Sequence, residues 1–247
     1  MENIMKKGVF GGILLVVIAG AAYGGSILGS KHDFSITSGG TPFAGNYQTV
    51  NGPIDEVCVF CHTPHTASTD SARGLNTLLW NRTNSTFTYS VYNSSTLDVL
   101  PDNPPRGITL MCMSCHDGVT SIAVSTLLNA PGEGNPAVSL IDPGMYDKIG
   151  QIYDGGFLGW GPNIGEGNPS SPGTINLSND HPVSFPWISD LPGMKTDAAI
   201  GFSDSTVKLF NGKMECSTCH KVHDPDLPPF LRMANTASAM CLRCHDK

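Results

Sequence analysis

Cys58-Val-Phe-Cys61-His62-Thr-Pro-His65 brings two thiols and two imidazoles together in one short stretch, and the same chemistry returns at Cys216-Ser-Thr-Cys219-His220-Lys-Val-His223. Two further stretches carry the first part of the pattern, Cys112-Met-Ser-Cys115-His116 and Cys241-Leu-Arg-Cys244-His245, and together the four consume all eight cysteines. Zinc sites, redox dithiols and structural disulfides also pair cysteines, but each leaves the residue after the second cysteine free to vary. Here it is always histidine. With histidine at 8 of 247 positions, four such placements by accident have odds on the order of one in a million, so the reading is c-type haem attachment. The thiols form thioethers to the haem vinyl groups, and the adjoining histidine becomes the proximal iron ligand. The expected cofactors are therefore four covalently attached haems, with His62, His116, His220 and His245 proximal.

Four irons have eight axial positions, and the chain has eight histidines. The remaining imidazoles, His32, His65, His181 and His223, complete an inventory of four bis-histidine, six-coordinate haems. Met111, Met113, Met214, Met233 and Met240 lie beside motifs as alternative axial donors, but methionine flanking a haem more often packs than ligates.

The flanks divide the motifs into two alternating types. The first and third carry a second histidine three residues on, whereas the second and fourth read MCMSCHD and MCLRCHD, and a lone histidine, His32 or His181, precedes each pair. The chain reads as a duplicated two-haem unit. Imidazoles as close in sequence as His62 and His65 do not grip opposite faces of one macrocycle. His65 is thus expected to serve the haem on Cys112/Cys115, and His223 the haem on Cys241/Cys244. His32 and His181 then serve the haems of His62 and His220 in some order, within a unit or across units. If each unit lends its lone histidine onward, His32 ligates a haem of a neighbouring molecule and builds a head-to-tail filament.

Lys6 and Lys7, the apolar run Val9–Ala22 and the small residues that follow have the three-part pattern of a secretory signal over residues 1–24, with an uncleaved N-terminal anchor as the alternative. Export agrees with haem attachment outside the cytoplasm. Residues 25–130 then form an N-terminal two-haem unit, 131–180 a Gly/Pro-rich loop region and 181–247 a C-terminal two-haem unit. The formal charge is −7, which disfavours nucleic acid as a partner. Charged residues make up 14% of the chain, which leaves uncharged surface available for burial against other subunits.

The expected fold is that of a multihaem cytochrome c: mostly coil, short helices at the haem motifs, a few short strands, and haems forming much of the core. Pro53-Ile54-Asp55-Glu56 predicts a helix start before Cys58, and Thr236–Cys241 a capped helix entering the last motif. Thr86–Tyr92 alternates as a strand, paired in a hairpin with Leu75–Trp80. Residues 131–180 hold 17 glycines and prolines in 50 positions, which makes regular structure improbable there. Tyr146, Tyr153, Phe157 and Trp160 suggest that this region packs over a haem or a neighbour; the alternative is a flexible connector between the two repeats.

The series Lys31-His32-Asp33-Phe34-Ser35, CVFCHTPHT, Leu79-Trp80-Asn81-Arg82, MCMSCHDG, DHPVSF, MECSTCHKVHD, Phe230-Leu231-Arg232 and MCLRCHDK resembles the exported tetrahaem c-type cytochromes of the OmcE-like kind, which polymerise outside the cell into conductive filaments. The resemblance implies bis-histidine haems in a continuous stack, little regular secondary structure, and one distal histidine donated between identical subunits. It implies extracellular electron transfer as a cytochrome nanowire, with redox partners at the cell surface. The alternatives are a monomeric periplasmic or surface shuttle and, less favoured, a multihaem reductase, because a full set of histidine ligands leaves no open iron position. No enzymatic activity is expected.

Overall fold

A chain with 28 glycines and 18 prolines in 247 residues interrupts its own helices and ladders every few residues. The computed structural model describes residues 26–35, 48–49, 52–53, 55–82, 88–117, 126–129, 138–139, 164–165, 174–204 and 206–246. Their strands are β1 (Gln48–Thr49), β2 (Gly52–Pro53), β3 (Thr88–Val91), β4 (Thr126–Leu127), β5 (Val138–Ser139), β6 (Thr174–Leu177), β7 (Phe185–Pro186) and β8 (Lys213–Met214). The helices are α1 (Gly107–His116), α2 (Asp197–Ile200), α3 (Cys216–Cys219) and α4 (Cys241–Cys244). The strands form two-stranded ladders: β1 with β2, β4 with β5 and β7 with β8 antiparallel, and β3 with β6 parallel.

The main apolar cluster forms where α1 lies over the β3–β6 pair. Leu110, Met111 and Met113 of α1 meet Tyr89 of β3, Ile175 and Leu177 of β6, and Leu75, with Trp80, Val91 and Ile164 packed against them. Each large side chain withdrawn from water in this way contributes about 1.5–3 kcal/mol. Met111 and Met113 are thus packing residues, and Met214 is also buried.

β3 falls inside the alternating stretch that predicts a strand, but its partner differs. Thr88 to Val91 align with Thr174 to Leu177, while residues 75–80 turn instead of extending. Leu78 and Leu79 take left-handed φ values of 57° and 52°, which no ladder accommodates. β6 lies within the span 131–180, where regular structure was improbable; its sequence Thr-Ile-Asn-Leu carries β-branched residues that suit a pleated pair. Tyr146, Tyr153, Phe157 and Trp160 lie outside the described residues, as does the secretory-like segment 1–24.

Both predicted helices next to motifs are shorter and displaced. Pro53 sits in β2, and a single 3₁₀ turn spans Val57–Phe60. Thr236–Ser238 forms another 3₁₀ turn, in which Ala237 is left-handed at φ 52°. That conformation separates it from α4.

Residues of the two halves interlock. Lys213 pairs with Asp102 at 2.5 Å, Ser184 Oγ accepts the Arg106 amide at 2.9 Å, and Asp102 N donates to the Ser184 carbonyl at 2.8 Å. Among the described residues no helix is long and apolar enough to cross a membrane.

Candidate functional site

The Cys-x-x-Cys-His spacing acquires its meaning from one helical turn. Residues three and four apart share a helix face, so a single turn presents both thiols and the imidazole together. The first motif occupies the 3₁₀ turn, the second the C-terminal end of α1, the third α3 and the fourth α4. In three of them the histidine amide closes the turn by donating to the first cysteine's carbonyl: His62 to Cys58 at 2.8 Å, His220 to Cys216 at 3.0 Å and His245 to Cys241 at 2.9 Å. No two of the eight cysteines are joined by a disulfide.

The first and third motifs are braced in the same way by a later extended segment. Thr63 N donates to Leu79 O and Lys221 N to Phe230 O; Asn81 N donates to Cys61 O and Arg232 N to Cys219 O. Leu79 and Phe230 are both left-handed, at φ 52° and 61°. Asn81 Nδ2 donates to Val59 O at 2.5 Å, and Arg232 Nε donates to Ser217 O at 2.6 Å, each the carbonyl one residue after the first cysteine. Leu79-Trp80-Asn81 and Phe230-Leu231-Arg232 thus play equivalent roles. Identity of side chains does not reveal this, because an amide stands in one copy and a guanidinium in the other.

These braces also orient imidazoles. His62 Nδ1 lies at hydrogen-bonding distance from the Leu78 carbonyl and His220 Nδ1 at 2.9 Å from the Pro229 carbonyl. His181 Nδ1 is 2.9 Å from the Pro182 carbonyl. A carbonyl only accepts, so Nδ1 carries the proton in each ring and Nε2 keeps its lone pair for a metal. Burial, reinforced by the neighbouring His116, pushes His32 down to about 4. It is therefore neutral at pH 7, the form a ligand requires. Burial also lowers His223.

An iron held between two imidazole nitrogens by bonds of about 2 Å sets the ring centroids about 6 Å apart. Three ring pairs meet that requirement. His32 and His116 are 6.0 Å apart, His62 and His223 6.2 Å, and His181 and His245 6.4 Å. Each joins one proximal candidate to one distal candidate, so the donor set fits bis-histidine haem at these three positions.

The pairing differs from the one read off the sequence. His32, and not His65, faces His116; His181, and not His223, faces His245; His223 faces His62, a position assigned to a lone histidine. Within the chain the His32 ring lies 6.0 Å from that of His116. The reason is local. Asp33 accepts from Gly29 N, Ser35 N and Ser35 Oγ at 2.8, 3.1 and 2.6 Å, and Phe34 packs edge-on to Phe60 at 5.7 Å. The segment is folded onto the first motif, and His32 stacks 4.6 Å from Phe230. His65 is exposed, and neither it nor His220 has an imidazole opposite it among these pairs.

The second and third motifs meet at a buried polar junction. Glu215 Oε2 accepts from Thr109 N at 3.0 Å and also from Thr109 Oγ1, while Cys216 N donates to Thr109 Oγ1 at 3.3 Å. Glu215 also closes a capping box with Thr218, so one carboxylate caps both α1 and α3. The Cys112 and Cys216 thiols hydrogen-bond to each other, which raises Cys112 and lowers Cys216. The first cysteines of the second and third motifs therefore lie side by side. At the first motif, burial pushes the Cys61 thiol up to about 12 against the pull of the Arg82 guanidinium.

Asn81, Arg82, Thr109, Glu215 and Arg232 do not stand out as site residues in the sequence. Only the short strings Leu-Trp-Asn-Arg and Phe-Leu-Arg mark some of their positions.

The family described as the doubled CXXCH motif matches residues 209–247, the span of the third and fourth motifs. No curated protein matches the chain. The motif indicates covalently bound c-type haem and points to a cytochrome.

Proposed function

We propose that the chain conducts electrons outside the cell through four bis-histidine c-type haems, as the repeating subunit of a head-to-tail filament of the OmcE-like kind. The haem irons, when bound, supply one-electron chemistry. The eight cysteines would tether the macrocycles through thioethers, backbone carbonyls hold the His62, His181 and His220 rings in place, and the histidines would ligate the irons. A saturated iron carries charge but takes no substrate, so the reading is conduction and not catalysis.

One observation carries the assembly. Three proximal candidates lie 6.0–6.4 Å from a distal candidate's ring, while among the described ring pairs His220 and the exposed His65 have no imidazole opposite them. Pairing His65 of one subunit with the His220 haem of the next completes the ligand set and repeats indefinitely, because such a heterologous contact does not close on itself. His65 thus replaces His32 as the crossing ligand. The exposed Leu78 and Leu79, at 56% and 52%, supply apolar surface beside it, since Leu79 is backbone-paired to Thr63. Export through the signal-like segment 1–24 places the subunits where such polymers assemble.

A His65→Ala variant tests this. Sedimentation should show loss of polymers, and carbon monoxide should bind about one haem per subunit in the reduced protein. Polymers that persist with all haems low-spin would sink the assignment.

A further inference from the structure

Arg82 is 1% exposed. Its Nε donates to the Phe60 carbonyl at 2.7 Å, but Nη1 and Nη2 are buried without a hydrogen-bond partner among the described residues. None of the ion pairs among the described residues includes it. The backbone fixes this placement: Arg82 is bridged to Leu127, and the preceding Asn81 is held by Val59, Asn129 and Leu128. The side chain therefore does not swing out to water.

A guanidinium stays charged at every accessible pH, and a buried charge without a partner is strongly destabilising. Two free N–H groups in a rigid fork match one carboxylate. Two residues earlier, Trp80 Nε1 is also buried without an acceptor, and its ring stands 5.9 Å from His62. Unmet donors thus collect beside the first motif, on a segment braced directly against it.

We propose that Arg82 is the buried anchor for a propionate carboxylate of a haem bound next to the first motif, through Nη1 and Nη2. This rests on the haem reading above. Each haem brings two propionates, the anions that this chain acquires at that place when it is loaded. The role is one of positioning and charge: Arg82 fixes the tilt of the macrocycle edge and compensates a carboxylate held away from water.

The haem-loaded protein and its Arg82→Gln and Arg82→Lys variants provide the test. Haem content and the low-spin spectrum first establish that four bis-histidine haems remain, which probes the haem reading independently. Resonance Raman then follows the propionate bending bands. Arg82→Gln should shift one band and lower the reduction potential of one haem, because a positive charge is lost beside it. Arg82→Lys should shift the band while largely preserving the potential. Bands unchanged in both variants would overturn the proposal. If Arg82→Gln does not accumulate, a map of the loaded wild-type protein decides: a carboxylate oxygen within hydrogen-bonding distance of Nη1 or Nη2 supports it, and its absence refutes it.

Discussion

Glu215 shows how a single side chain couples two haem attachment sites. Its carboxylate accepts from the Thr109 amide and hydroxyl and caps α3. Replacing it with alanine leaves buried donors at both helix starts and should cost about 2–3 kcal/mol, measured as a lowered denaturation midpoint of the loaded protein. Burial raises the Glu215 carboxyl above its ordinary 4.5, although the Thr109 donors pull it down. A raised acid binds its proton more tightly in the folded state, so stability is greatest at and below 4.5 and falls as pH rises through the higher folded value. Glu215→Gln should flatten that decline in denaturation curves taken between pH 4 and 7.

Among elements, the extended braces at residues 79–82 and 230–232 matter more than any helix. They clamp the first and third Cys-x-x-Cys-His turns through matching backbone bonds, and the residues just before them, Leu78 and Pro229, supply the carbonyls that orient His62 and His220. Asn81 is fully buried, and its side chain bonds to Val59 O, Asn129 O and Asn129 N. Asn81→Ala should therefore lower stability by about 3 kcal/mol in thermal or chemical unfolding. Arg232 is only half-buried, so Arg232→Ala should cost about 1 kcal/mol. The alternation at Thr86–Tyr92 announced the strand that contains β3. Its partner was not legible, because Leu75–Trp80 reads as a strand until two consecutive left-handed leucines turn it.

At the scale of the molecule, the proposed assembly predicts different outcomes for histidines that ligate within the chain and for the one shared between copies. His32→Ala removes the ring opposite His116 and should create about one carbon-monoxide-reactive haem per subunit, with polymers retained in sedimentation. His65→Ala should create the same spectral signature and lose the polymers. That contrast distinguishes a ligand within the chain from one shared between copies.

The cofactor class and its attachment residues are local properties. A thiol, a second thiol three residues on and an imidazole beside it share one helical turn whatever the rest of the chain does, so the motif that points to c-type haem is readable from spacing. The eight histidines equal the axial positions that four haems would offer. Which imidazoles meet is not local. His32 lies far in sequence from His116, and His62 from His223, and only the folding of 26–35 onto the first motif and the bracing by 230–232 bring those rings to about 6 Å. The buried charge of Arg82 was equally invisible, because an arginine in a sequence is presumed to reach water until packing closes around it.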